Sequence, residues 1–277
     1  GFKVRLPLDI QFIFTSNPED YTNRGTIVTP LKDRVGSQIL THYPESIEIA
    51  KKITKQESKI DSELGSKIHI PEVARDIIEQ ISFEARESDL VDRKSGVSAR
   101  MSITSLQNLV SSAERRMIIN KEGKTSIRMS DFSSVISSIN GKVELVYEGE
   151  EEGAEQVSYN LISSAVKSIF NKYFPKIEKL TKPDEITPYD SLLNWFSNKQ
   201  LVINDNLNNK DYKNLLNEVI DAKKLIKKYI PELNDDDELF FVEFILWGLE
   251  SYNKLSILRT NNGIEYKDPF NNFINKI

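Results

Sequence analysis

Cysteine is absent from this 277-residue sequence, and histidine occurs only as His42 and His69. The first absence excludes disulfides, thiolate nucleophiles and cysteine-ligated zinc, and the second leaves little room for a histidine-built metal site. No apolar run reaches the ~20 residues of a membrane span; the aromatic-rich stretch 239–249 is too short and reads as a buried helix. No secretory apolar region opens the chain, so the cytoplasm is the expected compartment and no membrane partner is expected. A basic surplus is missing as well. Lys and Arg number 37 against 42 Asp and Glu, a net charge of −5, which counts against a dedicated nucleic-acid binder. What is present is a 39% apolar, 29% charged composition, that of a folded globular chain with room for two or three modest domains.

The opening of the chain carries the sharpest local pattern. Residues 10–14 (IQFIF) form a short apolar, β-branched and aromatic run that reads as a buried strand, stopped by Thr15, Ser16 and Asn17 ahead of Pro18. Lys32, Asp33 and Arg34 form a basic turn, and residues 38–42 read as a second strand. Beyond Pro44 the periodicity turns helical. Helices are expected over 46–59, from Pro71 to about 88, from Ser98 through the spaced apolar positions Ile103, Leu106, Leu109, Val110 and Ala113, and over 129–139. Residues 142–147 alternate enough for a short strand, 148–155 read as an acidic loop, and 158–174 as an amphipathic helix. After a linker at 181–188, helices are expected over 189–196, 208–229 and 235–258, with an irregular Asn-rich tail beyond Arg259.

Two stretches match a known pattern. TSNPEDYTNRG followed by TPLKDRVGSQILTHYP resembles the sensor-1 to arginine-finger segment of AAA+ ATPases, in the branch of the magnesium-chelatase I subunit and the MoxR proteins. SGVSARMSITSLQNLVSSAERR is similar to the sensor-2 helix of the same branch, and GKVELVYEGEEEGAE extends the likeness in part. The resemblance covers roughly the first half of the chain. It implies a mainly α (α+β) fold: the C-terminal end of an AAA+ α/β core over 1–44, with two short strands, a four-helix lid over 45–140, and a further helical domain over 141–277.

The same resemblance implies three site residues. Asn17 is sensor 1, which orients the attacking water near the γ-phosphate; unaided, Asn-Pro is a turn signal. Arg34 is the finger reaching a neighbouring subunit's nucleotide, where a guanidinium offsets developing phosphoryl charge. Read alone, Asp33 and Arg34 are a surface ion pair. Arg100 is sensor 2, against the plain reading of a solvated helix arginine. Arg24, Arg93 and Lys94 are lesser alternatives. Gly123-Lys124-Thr125 imitates the end of a P-loop, but Ile118 stands where that motif needs glycine. The Asp235–Asp237 run lacks the glycine of a calcium loop, with Phe240 in its place.

The chain contains neither a P-loop nor a Walker-B strand, so it is expected to be the C-terminal part of a longer ATPase and inactive alone. For the full-length protein the resemblance implies ATP and Mg2+, with neither tightly bound to this part. The implied partners are neighbouring subunits in a ring and a von Willebrand A domain protein, with ATP hydrolysis driving remodelling of, or metal insertion into, a partner. Without its missing neighbours the 10–14 strand is expected to have exposed edges. Two other readings stand beside this one: a non-catalytic helical interaction module, and an ATPase-type transcriptional activator, for which KKLIKK at 223–228 is a candidate basic patch, although its alternation with apolar residues reads as the wet face of a helix.

Overall fold

The computed structural model describes residues 3, 9–15, 33–178, 186–260 and 262–269, and the chain falls into two compact units, Gly1–His42 and Tyr43–Ile277. In the first unit, residues 9–15 and 35–42 run without strand pairing among the described residues. Phe12 and Phe14, two residues apart on an extended backbone, stack at 6.1 Å, yet Ile13 is 82% exposed and Ile39 89% exposed. This corrects the two-strand core expected there. A run of β-branched and aromatic residues gains strand stability only from a ladder and a covering layer, and among the described residues it has neither.

The second unit is helical, and its ends follow from local chemistry. Ser46 Oγ accepts the Ile49 amide at 3.3 Å and opens α1 (Ile47–Glu57). Asp61 caps α2 (Ser62–Lys67) by accepting from the Glu63 amide at 2.7 Å. A short strand β1 (Ile68–His69) follows. Pro71, whose φ is already near helical, leads into α3 (Glu72–Glu87), and Ser98 leads into α4 (Arg100–Ile119). Strand β2 (Thr125–Ser126) pairs in parallel with β1, Ile68 opposite Thr125 and His69 opposite Ser126. The expected helix at 129–139 is a 3-10 stretch, Met129–Val135, running into α5 (Ile136–Asn140). Next come α6 (Tyr147–Glu152), α7 (Ala154–Tyr173), α8 (Asp190–Asn198), β3 (Leu201–Asn204), α9 (Asn209–Asn217) and α10 (Ile220–Tyr229). A 3-10 turn, Asp235–Asp237, precedes α11 (Glu238–Ser251), and β4 (Ser256–Thr260) and β5 (Gly263–Lys267) close the order.

Several local expectations are corrected. Residues 142–147 make only a single bridge, Val91 to Leu145, because the chain turns into α6 at Tyr147. The stretch expected as an acidic loop is helical, its Gly149 buried against the Leu90 carbonyl. The helix expected over 208–229 breaks at Glu218 and Val219, where fully buried Val219 leaves helical geometry. The tail expected to be irregular contains β5, the central strand of an antiparallel sheet in the order β3-β5-β4. Its turn depends on Gly263: φ is 154°, and a Cβ there would stand 2.1 Å from the Ile203 carbonyl oxygen.

At the centre lies α11, in which every residue from Phe240 to Leu249 is buried. Its aromatic face meets α7: Phe170 and Phe244 rings lie 5.8 Å apart, and Tyr173 and Phe241 5.2 Å, edge to face. α7 in turn packs on α3, so one apolar core runs from Ile68 to Tyr266 without a break at position 140. The α7–α11 crossing is closed by Gly248, where a Cβ would come within 2.2 Å of the Phe170 ring. Gly248→Ala is therefore expected to destabilise the chain by about 1–3 kcal/mol through overpacking. Urea denaturation checks this, and wild-type stability in the variant would mean that the Phe170 ring swings aside at no cost.

Candidate functional site

The arginines singled out in sequence divide into the engaged and the free. Asn17 and Arg24 lie outside the described residues. Arg34, in the first unit, is exposed in a turn and forms no ion pair with Asp33 or with any other carboxylate among the described residues. Arg100 is the first residue of α4; Ser98 Oγ accepts its backbone amide at 3.2 Å, and its exposed guanidinium has no ion-pair partner among the described residues. The alternative Arg93 is tied to Asp89 Oδ1 at 2.8 Å and to the Glu87 carbonyl at 3.0 Å. Elsewhere Arg75 pairs with Glu72, Arg86 lies over the Tyr43 ring, Arg259 over Tyr159, and Arg116 is buried against Asp131. The exposed Arg115 resembles Arg34 and Arg100 in having no ion pair among the described residues, with Asp205 as its electrostatic neighbour.

The P-loop imitation is structural. Lys124 leads into β2 rather than opening a helix, and Asn209 holds the segment by donating to the Lys124 carbonyl at 2.9 Å and accepting from Thr125 Oγ1 at 3.0 Å. The KKLIKK patch is the wet face of α10. Leu225 and Ile226 are buried, Lys223 bonds Glu238 and Lys224 bonds Asp221. Among the described residues no cluster of three or more His, Asp or Glu is placed to hold a metal ion. None of their helices is long and apolar enough to cross a membrane.

A broad cleft escapes the sequence patterning. A cleft of about 950 Å3 lies between the end of α1, α2, the β1–β2 pair, the start of α9 and the Asp235–Asp237 turn. Its floor is apolar, with Ile68, Ile127 and Phe240 buried. Its walls are basic: Lys55, Lys59, Lys124 and Lys213 are exposed there without an ion pair among the described residues, and the facing acids are Asp235 and Asp236. The lysines come from residues 55 to 213, so no window of sequence holds the patch and the net charge of −5 conceals it.

Beneath the cleft runs a buried polar chain. Glu243, on α11 and fully buried, accepts from Tyr212 OH at 2.6 Å and from Tyr266 OH at 3.1 Å, while Trp247 Nε1 donates to Tyr266 OH at 2.8 Å. Tyr212 lines the cleft, and the Arg128 guanidinium lies 3.8 Å from its ring centroid. Arg128 itself donates to the Leu207 carbonyl at 2.7 Å and to Asn209 Oδ1 at 3.1 Å. Burial pushes the Glu243 carboxyl above its ordinary range, a shift that the tyrosine hydrogen bonds and the Arg128 charge only partly offset. Desolvation likewise raises both tyrosines and lowers Arg128.

Comparison of the chain with protein families, curated proteins and solved structures returned no match.

The raised Glu243 carboxyl has a sign that can be measured. The folded chain keeps this proton at pH values where the unfolded chain, near 4.5, has lost it, so the group withdraws stability as pH rises from 4.5 towards the folded value. Within that window the loss is at most about 1.4 kcal/mol per pH unit. Glu243→Gln lacks it. Melting temperatures from pH 4 to 8 should show the variant gaining on wild type as pH rises. A constant difference would mean that the Glu243 carboxyl titrates alike in the folded and unfolded chain.

Proposed function

We propose that this chain is the sensor, finger and lid portion of a ring-forming AAA+ ATPase, and that the full-length protein couples ATP hydrolysis to remodelling of a partner protein. Its supporting observation is that two of the three exposed arginines without an ion pair among the described residues fall at the positions the resemblance singles out, the third, Arg115, having Asp205 as its electrostatic neighbour. Arg34 in a turn and Arg100 at the head of α4 stay exposed without an ion pair among the described residues. Arg75, Arg86, Arg93, Arg116, Arg128 and Arg259 are taken up by carboxylates, carbonyls or rings. An exposed guanidinium without a carboxylate is suited to a phosphate, since five fixed N–H donors match its oxygens and no existing pair has to be broken.

In this reading Arg34 meets the γ-phosphate of a neighbouring subunit's nucleotide, and Arg100 meets the nucleotide beside its own subunit, so that nucleotide state sets the position of α4. Asn17 orients water. The phosphate cradle and the magnesium ligands belong to residues outside these 277, because Gly123-Lys124-Thr125 runs into a strand and is occupied by Asn209. The triphosphate supplies the phosphoryl group; the residues of this chain contribute charge and orientation, which is most of what such a transfer asks of a protein. Partner remodelling is preferred to porphyrin metallation because the chain carries no feature suited to a tetrapyrrole.

The test is kinetic, on the full-length protein. Arg34→Ala should lower ATP turnover by about 10³–10⁵ with ATP binding retained, while Arg100→Ala should weaken both binding and turnover. Arg115→Ala, an exposed arginine of the same helix, should leave both unchanged. Normal turnover in Arg34→Ala removes the finger, and equal effects of Arg100→Ala and Arg115→Ala remove the sensor.

A further inference from the structure

The lysine-walled cleft has a complement elsewhere on the same chain. Helix α6 carries Glu148, Glu150, Glu151 and Glu152 on an exposed surface, with Glu155 just beyond, and none of them pairs with a cation among the described residues. Tyr147 at its head is 69% exposed. One buried residue, Gly149, pins α6 to the Leu90 carbonyl, and the helix rests on α7. It forms no part of the cleft wall, so both surfaces are free in the same compact unit.

We propose that the cleft receives α6 of a second copy of this chain. Four cleft lysines without an ion pair among the described residues, Lys55, Lys59, Lys124 and Lys213, are opposite in charge to the exposed helix glutamates Glu148, Glu150, Glu151 and Glu152. The last of these accepts only a neutral hydrogen bond, from Asn160 Nδ2 at 2.6 Å. A helix of six residues is about 9 Å long and about 10 Å across, a volume of roughly 700 Å3, which the 950 Å3 cleft accommodates. The half-buried apolar lining residues Ile60, Ile70 and Leu239 take the Tyr147 ring, and Asp235 and Asp236 on the opposite wall orient the helix by repelling its acidic face. Nucleic acid fits less well. The cleft's Tyr212 and Phe240 are 4% and 2% exposed, and its half-buried His69 ring is held to Asp237 Oδ1 at 2.6 Å, so the lining offers no large aromatic face on which a base can stack.

Because donor helix and acceptor cleft are different surfaces, the contact is head-to-tail, and successive copies add in one direction until a ring closes or a filament grows. The inference needs no nucleotide and does not rest on the ATPase reading. It draws its strength from charge, so it weakens steeply with salt.

The experiment is a charge swap on the 277-residue chain, read by analytical ultracentrifugation without nucleotide. Wild type should associate in a concentration-dependent way at low salt and lose that association at about 0.5 M salt, where screening reaches contact range. Variant one carries Glu150→Lys, Glu151→Lys and Glu152→Lys; variant two carries Lys55→Glu, Lys59→Glu and Lys213→Glu. Each alone should associate at least tenfold more weakly, and their mixture should associate again, because each now offers what the other needs. All six positions are exposed, and unchanged melting temperatures would verify folding. A wild type that stays monomeric at low salt overturns the proposal, as does a mixture no stronger than its parts. Binding of a single-stranded oligonucleotide by a monomeric wild type, lost in variant two, would also overturn it and assign the cleft to nucleic acid.

Discussion

The carboxyl group of Glu243 sits in the middle of the most buried helix of the molecule, and the elements around α11 are placed so as to satisfy it. An unpaired carboxyl at that depth costs several kcal/mol, so its oxygens require donors that are themselves buried and fixed. One donor comes from α9 through Tyr212, the other from β5 through Tyr266, and Trp247, one turn along α11, holds Tyr266 in place. Apolar packing alone leaves a helix like α11, buried on nearly every face, free to rotate or slide among equivalent positions. Two hydrogen bonds to one carboxyl from two distant parts of the chain remove that freedom. The α9 register and the β3-β5-β4 sheet are thereby fixed against the same helix that α7 covers from the other side.

A buried charge pair extends the arrangement towards the surface. Arg116 on α4 meets Asp131 in the 3-10 stretch, and Asp131 also accepts from the Arg128 amide at 2.8 Å and from Ser112 Oγ at 3.0 Å. Arg116 donates onward to the Ser126 carbonyl of β2 at 2.8 Å. Arg128 then spans from this cluster to Tyr212 and Asn209. The wall of the cleft is thus built on buried, hydrogen-bonded supports, although the lysines along its rim are themselves exposed. Buried, hydrogen-bonded backing with exposed cationic tips is the arrangement expected of a surface that recognises charge more than shape.

How much of this was legible in sequence follows from which signals are local. Helix starts were, because Ser46, Ser98 and Pro71 act within a turn of their own position. Burial of 239–249 was legible because a run that apolar leaves no polar face. The strands were not. β3 has four residues and β5 follows a glycine turn, and each is a strand because the other lies beside it, a relation that no short window contains. Residues 10–14 fail in the opposite sense, with strand composition and no ladder among the described residues. The same distinction separates the two candidate sites. Arg34 and Arg100 stand out through the company of neighbouring residues, whereas the cleft lysines are gathered by folding from α1, α9 and the β2 turn, and Glu243 appears in sequence as one acid among 42 Asp and Glu.

The acidic helix has a physical role that its sequence alone did not suggest. Four glutamates within six residues repel one another, and a helix this short is marginal on propensity alone. It persists here because Gly149 lets the backbone approach Leu90 and because α7 begins immediately after Gly153, whose positive φ turns the chain from one helix into the next. A segment held in place against its own charge repulsion presents that charge in a fixed pattern. An exposed flexible acidic tail would cost much more ordering entropy on binding. The fold has met that cost for α6 in advance, as the buried supports have for the cleft wall, so both surfaces are ordered before any partner arrives.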